Sequence, residues 1–135
     1  MPLSGHCNCG AITVTISDKG LEGARSGVCH CRNCRRQSGS VSSVVMLMDD
    51  NDFKVEGSPK SYLDTKTDSG TPLHRYFCGE CGSPVMSVTP LVAGKSFLKM
   101  GLFDKIPEPA AEVYCKNREP WETPITNTAQ LQEGR

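Results

Sequence analysis

Seven of the chain's eight cysteines fall into three tight clusters, and this spacing constrains the fold more than any other feature. The clusters are Cys7-Asn8-Cys9, Cys29-His30-Cys31-Arg32-Asn33-Cys34 and Cys78-Gly79-Glu80-Cys81. Two of them supply a pair of sulfurs each, and the third supplies three. Two pairs complete a four-sulfur tetrahedron around zinc, whereas a triplet leaves one position free. Closed zinc sites hold folds together; open ones admit water or a substrate.

The thiols read as metal ligands rather than disulfides. Cys7 and Cys9, like Cys29 and Cys31, stand too close on an extended chain to bridge each other without strain. Residues Met1 to His6 show neither the basic n-region nor the apolar h-region of a secretion signal. No apolar run approaches the ~18 residues of a membrane span, and no Asn-x-Ser/Thr sequon occurs. The expectation is a soluble, cytoplasmic protein without membrane partners, where thiols stay reduced and clustered cysteines bind metal.

A chain of 135 residues suggests one domain, 1–135, whose last residues, 127–135, read as a frayed tail. The 15 basic and 15 acidic residues cancel. That balance argues against a dedicated nucleic-acid binder, which carries a basic excess. The oligomeric state stays open between monomer and homodimer.

Short alternating runs dominate the chain. Ala11 to Ile16 alternates apolar and hydroxyl residues, the pattern of a half-buried strand. Arg25 to Val28, Val41 to Met48, Phe53 to Glu56, Ser61 to Leu63, Leu73 to Phe77, Pro84 to Val88 and Ser96 to Leu102 are further candidates. Arg32 to Ser38 suits one or two helical turns. Asp49 to Asp52 lacks the spacing of a calcium loop and reads as a solvated hairpin tip. Four prolines from Pro107 to Pro124 make the C-terminal third irregular. With no long 3.6-residue apolar stripe, the class is mainly β, with metal knuckles at the ends of short strands.

Cys7 and Cys9 combine with Cys78 and Cys81 into a closed set of four thiolates. Cys29, Cys31 and Cys34 form the open set, to which water, hydroxide or a small thiol adds the fourth donor. Cys115 is the competing reading, because it would close that second set. Ligand counting favours the open triplet, with Cys115 as a small buried hydrophobe. His30, between two ligands, is a candidate ligand, general base or orienting residue, although on an extended segment its ring faces away from Cys29 and Cys31. His6 is an alternative to Cys7. Arg32, Arg35 and Arg36 offset the negative charge of a three-thiolate zinc and attract a carboxylate-bearing ligand. Gln37 and Ser38 are candidate polar pocket residues.

These motifs resemble the glutathione-dependent formaldehyde-activating enzyme family, which includes centromere protein V. Gly5 to Gly10 is similar to its first CxCG, and Cys29 to Gly39 to its CHCxxCR followed by a Ser-Gly turn. Phe77 to Gly82 resembles its FCxxCG. Gly101-Leu102-Phe103-Asp104 follows a family Gly-x-Leu-Asp stretch, with Phe103 replacing Leu, and the Pro-rich tail with Arg118 and Trp121 is also similar. The resemblance implies a small-sheet β-tent fold with two zinc ions. One is structural, on Cys7, Cys9, Cys78 and Cys81. The other, on Cys29, Cys31 and Cys34, is tied to glutathione and formaldehyde; the family pattern has no counterpart to Cys115. It implies a carbon–sulfur lyase whose partners are a small thiol, glutathione as co-substrate, and a small carbonyl compound. Another small-molecule reaction at the same zinc, a non-catalytic module binding protein or nucleic acid, and a thiol reservoir are the competing functional readings.

Overall fold

A computed structural model describes residues 1–134 of the chain. The fold is mainly β. A three-stranded sheet has the order β1 (Leu3–His6), β2 (Thr13–Ile16), β5 (Phe53–Glu56). An eight-stranded sheet runs β11 (Ala129–Gln130), β10 (Pro109–Val113), β3 (Ser26–Cys29), β4 (Ser43–Asp49), β9 (Lys95–Lys99), β8 (Pro84–Val88), β7 (Leu73–Phe77), β6 (Lys60–Asp64). One helical turn, α1 (Asp18–Leu21), and the two-turn helix α2 (Arg32–Ser38) interrupt the strands. Among the described residues no helix is long and apolar enough to cross a membrane.

Val14 and Ile16 from the small sheet meet Met46, Met48 and Leu98 from the large one, and Met100 just after β9, in a single core. Alternation along each strand explains the choice: Val14 and Ile16 of β2 and Val44, Met46 and Met48 of β4 share the inward faces, while Leu47 points outward. Ser96 to Leu102 divides, with β9 ending at Lys99 and a 3-10 turn following over Met100–Leu102. Leu3–His6 is a strand that composition does not signal, because Ser4, Gly5 and His6 are poor strand formers. It is held by pairing with β2, and by the close approach of Gly5 to Leu102 and Phe103, where a Cβ would lie 2.5 Å from the Leu102 carbonyl oxygen.

The large sheet sorts its polar residues by face. Directly opposed residues on neighbouring strands share a face, as do residues two apart on one strand. Asp64 opposes Leu73, two before Arg75, which opposes Ser87. Ser87 opposes Phe97, two before Lys99. Lys99 opposes Val45, two after Ser43, which opposes Cys29. Asp64, Arg75, Ser87, Lys99, Ser43 and Cys29 therefore share one face, and all but Cys29 are buried.

The C-terminal segment departs from the expected frayed tail. Ala129–Gln130 pairs in parallel with β10, and the Tyr114 and Cys115 N–H groups donate to the carbonyls of Glu133 and Leu131; Arg135 lies outside the described residues. Its anchor is Glu112, buried on β10. Glu112 accepts hydrogen bonds from His30 Nε2 at 2.8 Å, the Ile125 N–H at 2.9 Å and Gln130 Nε2 at 2.7 Å. Burial alone would raise its pKa, but these donors outweigh burial and hold it below the ordinary glutamate value. A depressed carboxylate stabilises the fold above its unfolded pKa, about 4.3 for glutamate, and that contribution is lost as pH falls through the folded value. Replacing Glu112→Ala leaves buried donors unpaired, and at neutral pH is expected to cost about 3–5 kcal/mol. Thermal unfolding checks this, and the gap between variant and parent should narrow below about pH 4.

Candidate metal centres

The first centre sits where two knuckles meet. Cys7 and Cys9 lie on the turn between β1 and β2, and Cys78 and Cys81 on the turn between β7 and β8. Each turn closes on a glycine with positive φ, Gly10 at 80° and Gly82 at 78°. Their N–H groups donate to the carbonyls of Cys7 and Cys78 at 3.0 and 2.8 Å. A side chain would be strained at these two positions. All four sulfurs lie within 4.8 Å of one another, and Cys9 Sγ is 3.6 Å from both Cys7 Sγ and Cys78 Sγ. A zinc–sulfur bond of about 2.3 Å places sulfurs about 3.8 Å apart in a tetrahedron, so the donor set fits zinc. The Ile12 N–H donates to Cys7 Sγ at 3.3 Å. Ser83 pulls Cys81 down to about 5 through its hydroxyl and backbone hydrogen bonds. His6 is not a ligand here; its Nδ1 donates to the Cys7 carbonyl at 2.8 Å.

The second centre is the triplet. Cys29 ends β3, Cys31 caps α2 and Cys34 lies in its first turn. Cys31 Sγ accepts the Cys34 N–H at 3.3 Å, which ties the cap to the helix. The three sulfurs lie within 4.8 Å of one another, again a spacing that fits one metal ion. Among the described residues no other His, Cys, Asp or Glu joins either group. The Cys115 thiol instead faces the Glu112 carbonyl at 3.4 Å and Gln130 Oε1 at 3.5 Å, so it does not close the second set.

The sulfurs of this centre are unequal. The neighbouring thiols of Cys29 and Cys31 stabilise Cys34 as thiolate, bringing it down to about 2, and Lys99 and Arg75 add positive charge. Cys29 is pushed up by its hydrogen-bonded neighbours Cys31 and Cys34 and by burial. Three thiolates this close repel, and a divalent cation removes that repulsion.

Arg75 Nη1 lies 3.8 Å from Cys34 Sγ and 3.4 Å from Gln37 Oε1, while Nε donates to Asp64 Oδ2 at 2.7 Å. Asn33 Nδ2 donates to both oxygens of Asp64, at 3.1 and 2.9 Å. Asp64 thus fixes Arg75 and the helix together. Lys99, buried beside the sulfurs, donates to Ser43 Oγ at 3.3 Å. Burial lowers its pKa, and the negative charge of Cys34 works against that lowering.

His30 does not join the sulfurs. As alternation requires, its ring lies on the opposite face with Glu112, buried, with Nδ1 3.8 Å from Glu122 Oε1. Held by Glu112 behind the cysteine loop, His30 lies outside the sulfur group. Arg32 is exposed, Arg35 pairs with Glu119 at 3.1 Å, and Arg36 donates to Asn33 Oδ1 at 2.9 Å. These arginines line an open hollow of about 630 Å³ on the outside of α2. Ser38 donates to the Ser42 carbonyl at 3.0 Å. With Gln37, Ser43 and Lys99 it lines a deeper cavity of about 330 Å³, which reaches across to His6 and Ser83 near the first centre.

Arg75, Asp64 and Lys99 are the site residues that motif reading misses. The signal was present: a lysine interrupting the apolar run Phe97 to Met100, and an arginine inside a strand. Placing them beside the sulfurs needed the sheet register.

A model of the glutathione-dependent formaldehyde-activating enzyme family matches residues 2–117. A Rhodobacter sphaeroides protein of known crystal structure is similar in fold, with a TM-score of 0.56 at 19% identity, over 78% of this chain and 99% of that one. No curated protein sequence matches. The family match spans all three cysteine clusters in order, and the chain belongs to the glutathione-dependent formaldehyde-activating enzyme family.

Proposed function

We propose that the chain is a zinc-dependent enzyme of carbon–sulfur chemistry that joins a small thiol to a small carbonyl compound, glutathione and formaldehyde being the pair the family's name indicates. One observation carries this reading. The second centre has three sulfur donors and no fourth His, Cys, Asp or Glu among the described residues, and Gln37 and Lys99, which stand around the triplet, line a cavity of about 330 Å³.

A zinc ion held by Cys29, Cys31 and Cys34 supplies positive charge and a free position suited to a soft donor. The chain's own residues shape what surrounds it. Asp64 holds Arg75 against Cys34 and so neutralises part of the thiolate charge. Gln37, Ser38 and Ser43 present polar groups to the cavity. Arg32 and Arg36, around the open hollow outside α2, suit the carboxylates of a peptide-like thiol. In the reaction the thiol sulfur attacks the carbonyl carbon, the C=O π pair moves to oxygen, and the proton lost from sulfur ends on that oxygen. Thiol and carbonyl are held together, so a bimolecular addition becomes a local one.

The test is ¹³C exchange NMR of labelled formaldehyde with glutathione. Exchange through the adduct should accelerate in proportion to added protein, above the spontaneous rate. A protein with two bound zinc ions that leaves exchange unchanged would place the chain among zinc modules that do not catalyse this reaction.

A further inference from the structure

The buried face of the large sheet holds more polar capacity than its own residues use. Arg75 is matched by Asp64 at 2.7 Å. Among the described residues Lys99 has no carboxylate partner: the negative charge it faces is that of the cysteine triplet, and its hydrogen bond is to the neutral Ser43 hydroxyl. An ammonium carries three donors, so two remain. Ser87, on the same face and 5% exposed, has a hydroxyl with no partner among the described residues. Buried cations are costly unless paired, and unpaired buried hydroxyls are uncommon. A buried ammonium with donors to spare in the wall of a cavity is a place prepared for an oxygen-bearing group from outside.

The position fits a reacting oxygen. Lys99 lines the cavity of about 330 Å³ together with Gln37 and Ser43. Ser43 lies directly opposite Cys29 across the β3–β4 pair. Lys99 is therefore a cavity-lining residue on the same sheet face as Cys29.

We propose that Lys99 is a substrate-contacting residue of the second centre, whose ammonium receives the carbonyl oxygen of the small substrate. This deepens the carbon–sulfur reading and rests on it for the identity of the substrate. As the sulfur–carbon bond forms, the π pair collects on that oxygen, and the fixed cation stabilises it where no solvent has to reorganise. Removing one such donor in enzymes that stabilise an oxyanion costs on the order of 10²–10³ in rate. The distant arginines of α2 do not duplicate Lys99, because they face the open hollow outside the helix.

The experiment compares the wild-type protein with Lys99→Met, which keeps length and removes charge. Both are loaded with Co²⁺, and the visible d–d spectrum is titrated with azide as a small anionic probe. A four-thiolate centre has no position for azide, so the spectral change reports the triplet. The inference expects Lys99→Met to keep two metal ions per chain, to bind azide at least about tenfold more weakly, and to lower thiol–formaldehyde exchange by about 100-fold. Unchanged azide affinity overturns it. Loss of the second metal ion also overturns it, since Lys99 would then serve only as counter-charge to the thiolates. Should Lys99→Met fail to fold, Ser43→Ala decides: weaker azide binding with both metals retained supports the placement, and unaltered binding sinks it. If the wild-type protein gives no exchange enhancement, the carbon–sulfur reading fails by itself, and the azide arm still judges Lys99.

Discussion

Replacing Cys78→Ser is expected to unfold most of the chain. The first centre joins the β1–β2 turn of the small sheet to the β7–β8 turn of the large one, and Cys7 and Cys78 are both 1% exposed within the core. Coupled binding and folding of a structural zinc is worth on the order of 10–16 kcal/mol. That exceeds or matches the whole net stability of a typical domain, ~5–15 kcal/mol. Loss of one sulfur from four therefore removes more than a chain of this size can spare. Far-UV circular dichroism and zinc analysis check the outcome. The variant should lose its cooperative thermal transition and retain less than one zinc ion per chain. A folded Cys78→Ser protein with one zinc remaining would show that the small sheet docks without the first centre.

Cys31→Ser is expected to give the opposite result: a folded protein without activity. Cys31 belongs to the triplet, which is held within one local segment, Cys29 to Cys34, rather than joining distant turns. The packing beneath it does not require the metal. β3 is paired to both β4 and β10, and Asp64 ties Asn33 of α2 to Arg75 of β7. The variant should keep its thermal transition within a few degrees, hold one zinc ion, and show only the spontaneous rate of thiol–formaldehyde exchange. In the parent protein, mild chelation should remove one of two ions, the one from the triplet. If Cys31→Ser and Cys78→Ser both unfolded the chain, the division into a closed and an open centre would be lost.

Much of the site was legible because zinc knuckles are local. Cys7-x-Cys9-Gly10 and Cys78-x-x-Cys81-Gly82 carry their sulfurs, their turn and the glycine with positive φ within five residues. The triplet is equally compact. The strands Phe53–Glu56, Leu73–Phe77 and Pro84–Val88 were readable for the same reason, since alternation is a property of adjacent residues. β1 and β10 were not. Their residues have weak strand preference, and pairing makes them strands: β1 with β2 and by the bridge from Gly5 to Phe103, and β10 with β3, more than eighty residues away, and with β11. The tail was misread as frayed because its anchor, Glu112, looks like any surface glutamate until β10 is placed beside β3.

The spacing of seven cysteines by itself pointed to two candidate metal centres of unequal completeness, because coordination number is a count. The tertiary structure decided everything that depends on register. It turned Cys115 toward Glu112 and Gln130, put His30 behind the loop, and carried Arg75 and Lys99 to the sulfurs from strands far along the chain. Side chains alternate between faces with each residue, so a slip of one position on β7 or β9 would have sent those cations to the other side of the sheet.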